Sequence, residues 1–93
     1  MQKYIIIGKN SQQTAASMLN KPQNRKELNK PLFEAFNVKV IEFLYFNHPD
    51  FDTLVTIEAE SDEIVSAACN LVYASGSFNF FTWFRAFEAD QWR

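Results

Sequence analysis

The chain carries one cysteine, Cys69, and one histidine, His48. A lone thiol cannot close an internal disulfide, and with no Cys or His near it Cys69 cannot share a metal. A reducing cytoplasm suits this composition. Two glycines and three prolines in 93 residues exclude a collagenous or low-complexity chain. There is no glycine-rich phosphate loop, no nucleophile elbow and no zinc-ligand spacing, so no cofactor or metal is expected. No apolar run approaches the roughly 20 residues of a spanning helix. Lys3 follows the start with no apolar signal region behind it, so the sequence predicts a protein that is neither secreted nor membrane-bound.

What is present describes one domain over residues 1–93, with 47% hydrophobic residues to build a core. Folding a chain of this length buries roughly two thirds of its unfolded surface. The net charge is −2 but segregated: residues 1–41 sum to +5 and residues 42–93 to −7. Nucleic-acid binding needs a basic stripe, and a pI near 5.3 argues against one.

Lys3–Lys9, centred on Ile5-Ile6-Ile7, predicts a first strand. Ser11 is a candidate N-cap for a short helix through Leu19. A second helical stretch runs from about Gln23 to Phe36, with Pro31 expected to break it and Asn37 to end it in a left-handed turn. Val38–Phe46 and Asp52–Glu60 read as a hairpin around Asn47-His48-Pro49-Asp50. Ser61-Asp62-Glu63 caps a helix whose apolar stripe is Ile64, Ala67, Ala68, Leu71 and Val72, closing at Ser75-Gly76. Phe78 to Phe87 forms the last strand. The order β-α-β-β-α-β, with right-handed crossovers, predicts an α+β ferredoxin-like fold: a four-stranded antiparallel sheet with helices on one face.

The uncovered face of such a sheet should be polar in a monomer. Strict alternation instead makes both faces aromatic. It sets Phe78, Phe80, Thr82 and Phe84 against Phe81, Trp83 and Phe87, and Val40, Leu44 and Phe46 against Ile41, Phe43 and Tyr45. The expected partner is a second copy packed sheet to sheet, with higher even-numbered assembly open to such a dimer. Phe46, Phe81, Trp83 and Phe87 are the dimer-face candidates.

Several residues invite chemistry. His48, beside Asp50 and Asp52, has the pattern of a general base or metal ligand, and equally of a solvated turn histidine. Asp52 reads as an acceptor for backbone amides at the start of its strand, with a ligand role as the alternative. An even hairpin register would set Glu42 and Glu58 nearly opposite each other, where two carboxylates require a proton or a cation such as Arg85 of a partner subunit; otherwise they point to opposite faces or reach solvent at an edge. Trp83 and Arg85 share a face, suited to an anionic aromatic ligand or to a dimer core. Cys69 reads as a buried core residue.

Lys3-Tyr4, Gly8, Leu44-Tyr45-Phe46, Asp52, Glu58-Ala59, Ala74-Ser75-Gly76 and the acidic C-terminal end follow one another in an order that resembles the GYD-domain family. The naming motif falls on the hairpin as Pro49-Asp50-Phe51-Asp52. Asp52 is kept, Phe51 keeps the ring without the hydroxyl, and Pro49 replaces the glycine. The resemblance implies a ferredoxin-like fold of the dimeric α/β-barrel type and no settled activity. Three functions are weighed: a non-catalytic dimeric module for assembly or small apolar-ligand binding; a monooxygenase-like oxidoreductase acting on an aromatic substrate through His48, Glu58 or Arg85; and base stacking on strand aromatics, which the charge disfavours.

Overall fold

The structure is a computed structural model that describes residues 1–12, 31–76 and 78–91. Four strands, β1 (Gln2–Asn10), β2 (Lys39–Tyr45), β3 (Thr53–Ala59) and β4 (Phe78–Ala86), form one antiparallel sheet in the order β2-β3-β1-β4. Among the described residues one full helix, α1 (Asp62–Ala74), joins β3 to β4. This is the expected ferredoxin-like α+β arrangement. Of the expected helix from Ser11 to Leu19 only Ser11 and Gln12 are described, Gln12 being helical, and the stretch from Gln23 to Lys30 lies outside the described residues.

Three described helix ends are closed by the residues that the sequence suggests. Residues 31–35 are helical. They end at Asn37, φ 56°, where Val38 N–H donates to the Phe33 carbonyl at 2.8 Å and Asn37 N–H to that of Glu34 at 3.0 Å. That pair of bonds satisfies the last carbonyls and turns the chain into β2. In α1 the Ser61 hydroxyl accepts from Ile64 N–H at 3.4 Å, while Asp62 and Glu63 face the positive end of the helix. Gly76, φ 78°, lets the chain leave the other end.

β1 and β3 alternate cleanly, burying Tyr4, Ile6, Gly8 and Asn10 on one and Thr53, Val55, Ile57 and Ala59 on the other. α1 packs Val65, Ala68 and Cys69 onto that side. Its buried stripe is therefore turned from the expected one: Ala67 is exposed and Leu71 is 55% exposed. Phe33 and Val38 complete the core.

Two irregularities change the predicted faces. In β2, Val40 pairs with Ile57 but Glu42 with Thr56, so Ile41 is an extra residue and the parity reverses after it. Val40, Phe43 and Tyr45 consequently share the core-facing side, and Leu44 lies opposite Leu54 on the other. A second shift, between Lys9 and Asn10, places Phe78 against Asn10. Phe78 is therefore buried beside Phe81, with ring centroids 4.9 Å apart, rather than sharing a face with Phe80. Gly8 makes room for this pair: a Cβ there would stand 3.0 Å from Phe78 Cδ1 and 3.1 Å from Phe81 Cδ2.

Candidate functional site

Four regions gather the residues that could carry function. The first is the open face of the sheet. Registration places Leu44, Leu54, Ile7 and Thr82 in one row across it, and Glu42, Thr56, Ile5 and Phe84 in the next. Phe80 lies beyond, opposite Lys9, and Lys39, Glu58 and Lys3 close the other end. Phe80, Phe84 and Leu44 are 46%, 45% and 44% exposed. The aromatic members of this face are thus Phe80 and Phe84. Phe81 and Trp83, expected as dimer-face residues, pack against the core on the helix-covered side. Glu42 and Glu58 share the open face but are not opposite one another: Glu42 pairs with Thr56, and Glu58 stands between Lys39 and Lys3. Arg85 registers with Tyr4, on the other side of the sheet.

The second region is the hairpin tip. His48 stacks on Phe51, centroids 4.2 Å apart and rings 13° from parallel, and its Nδ1 accepts from Asp50 N–H at 3.1 Å. Phe46 meets Phe51 edge-on at 5.7 Å. Lys9, Phe46, His48 and Asp52 line a shallow depression there. The Asp52 carboxylate turns away from chemistry. Its Oδ1 accepts from Asn10 N–H at 3.1 Å, Asn10 Nδ2 at 3.0 Å and the Thr53 hydroxyl at 3.0 Å. Its own amide donates to the Gly8 carbonyl at 2.9 Å. Asp52 so clamps the end of β1 to the start of β3.

The third region lies at the opposite end of β1, and the sequence offered no signal for it. The fully buried Tyr4 hydroxyl lies 2.5 Å from Asp62 Oδ1 and 2.6 Å from the Gln2 side chain. A phenol has one proton, and the charged acceptor takes it, with the Gln2 oxygen beside it. Burial first, then Asp62, pushes the Tyr4 phenol up to about 12. Trp83 meets the Tyr4 ring edge-on at 5.7 Å. Nearby, the Arg85 guanidinium stands 4.9 Å over the Phe87 ring. An exposed ion pair, Lys3 to Glu88 at 2.8 Å, raises the lysine's pKa and lowers the glutamate's through their hydrogen bond and charges.

The fourth is an apolar cleft between the sheet and α1, walled by Phe33, Phe43, Phe78 and Phe81 with Thr53 and Cys69 among its lining residues. Its volume is about 20 Å³, room for a water-sized molecule. Burial pushes the Cys69 thiol up to about 12, which makes it a poor nucleophile. Among the described residues no three His, Cys, Asp or Glu side chains come together as a metal site. No described helix is long and apolar enough to cross a membrane.

Sheet order and helix placement define a ferredoxin-like α+β domain. The chain belongs to the GYD domain family, whose match spans residues 4–93. Among solved structures it is similar to 5-chloro-2-hydroxyhydroquinone dehydrochlorinase from Burkholderia phenoliruptrix AC1100, in complex with 2,5-dihydroxybenzoquinone. The two share a TM-score of 0.61 at 14% identity, over 96% of this chain and 97% of that one. No curated protein matches the sequence.

Proposed function

We propose that the protein is a self-assembling module in which two copies pack open sheet face to open sheet face. The observation that carries this reading is the contiguous apolar field of Ile5, Ile7, Leu44, Leu54, Phe80 and Phe84 on the one side of the sheet that no described element covers. Fields of this kind on a small domain mark contact surfaces. The charged row Lys39-Glu58-Lys3 bounds it and serves as a polar rim. Burying one phenylalanine is worth about 1.5–3 kcal/mol. Phe84 enters such an interface twice, so Phe84→Glu should weaken the dimer on the order of 100-fold or more. Native mass spectrometry at micromolar concentration is the test: a dimer for the wild type and a monomer for Phe84→Glu are expected, and a monomeric wild type overturns the proposal.

A second reading, favoured by the four-ring cleft, is that each copy also holds a small apolar molecule between sheet and helix. The likeness to a dehydrochlorinase solved with a quinone supports an aromatic ligand in this fold. At about 20 Å³ the cleft admits a ring only when a half-buried wall, Phe43 or Phe81, turns outward. The oxidoreductase alternative finds less support. His48, Glu58 and Arg85 stand at the hairpin tip, on the open face and on the opposite side of the sheet, and none lines the cleft.

A further inference from the structure

Among the described residues, Asn10 Oδ1 is the buried side-chain polar atom without a hydrogen-bond partner. Asn10 is only 9% exposed. Turning the amide over gives no relief, because Nδ2 is committed to Asp52 Oδ1 at 3.0 Å and to the Thr53 hydroxyl at 3.4 Å. An inverted amide would set its oxygen against the carboxylate. A buried acceptor left empty is costly, and such groups in folded proteins are generally explained by a bound donor or by function. Asn10 adjoins the cleft through two of its lining residues: Thr53, to which it donates, and Phe78, its register partner on β4.

We infer that the cleft takes a small neutral ring bearing a hydroxyl, and that this hydroxyl donates to Asn10 Oδ1. The inference rests on the ligand reading above and specifies the chemistry of that ligand. The walls, Phe33, Phe43, Phe78 and Phe81, suit a flat apolar body. The acceptor at the hairpin end requires a donor. The Asp52 carboxylate, held on the same amide, repels an anion, so a phenol fits where a phenolate or a carboxylate does not.

Isothermal titration of the full chain with phenol, toluene and benzoate separates the possibilities. Phenol is expected to bind about tenfold or more tightly than toluene, since only phenol satisfies the acceptor, and benzoate is expected not to bind. Asn10→Ala should abolish the preference for phenol over toluene. Equal or tighter binding of toluene overturns the inference and leaves the ligand reading standing, whereas no binding by either ring overturns both. Should Asn10→Ala fail to fold, the Asn10 side-chain amide resonances of the wild type decide: they shift on adding phenol and not toluene, and an unmoved pair under saturating phenol sinks the proposal.

Discussion

At its first end β1 turns Tyr4 toward the core, and at its last end Asn10. Each is nearly sealed from solvent and each reaches an aspartate across the chain, yet the two polar clusters differ in completeness. Tyr4 meets Asp62 at the start of α1 and gives its proton to the carboxylate. Asn10 meets Asp52 at the start of β3 through nitrogen only, leaving its oxygen empty. The first cluster ties the sheet to the helix; the second ties strand to strand and keeps one acceptor unused. Polar burial in one small core thus serves both as a closed structural joint and as an open one.

The widest separation between the two clusters should come from Asp52→Ala, which strips the acceptor from three donors at once. We expect a loss of about 3 kcal/mol in denaturant-derived stability, with Asp52→Asn recovering much of it by keeping Oδ1. A loss no larger than that of an exposed aspartate would show that the clamp is idle. Gly8→Ala acts midway along β1 by pushing a methyl into Phe78 and Phe81, and should cost about 2 kcal/mol. Chemical denaturation measures it, and an unchanged midpoint would mean that the two rings shift aside freely. Tyr4→Phe should be the mildest, about 1 kcal/mol at neutral pH, since it removes one hydrogen bond and keeps the ring on Trp83.

The same variant sharpens the contrast in alkali. The folded state holds the Tyr4 phenol at about 12, above the ordinary value of 10.0, so it favours the protonated form. That contribution is complete below pH 10 and is lost as pH rises toward 12. Wild-type melting temperature should therefore fall over this window more steeply than that of Tyr4→Phe, and parallel curves would show that Tyr4 does not carry the dependence.

The four strands, the closing of three helix ends and the acceptor role of Asp52 were legible in the sequence, because each depends on neighbours in the chain. Asn37 and Gly76 announce left-handed turns, and Ser61 announces a cap, whatever they pack against. The faces of β2 and β4 were not legible. A period of two carries no mark of an extra residue, so Ile41 and the shift beside Asn10 silently reversed the expected sides of Leu44, Phe43 and Phe78. The Tyr4 to Asp62 joint was equally hidden, since its partners stand 58 positions apart and neither residue type is unusual where it occurs. Trp83 and Arg85 do share a side, as alternation requires, but it is the side facing the helix.

The extra residue in β2 also governs how the chain tolerates changes of length. Beyond Ile41 the strand keeps the pairing it would have without that residue, since Val40 and Glu42 face successive residues of β3, Ile57 and Thr56. An in-frame loss of that single codon would therefore close the bulge into a regular ladder and leave Phe43 and Tyr45, 5.5 Å apart, on the core side with Leu44 on the open face. For this edge of the sheet, then, the contact surface is specified by the pairing with β3 rather than by the residue count between Val40 and Phe43.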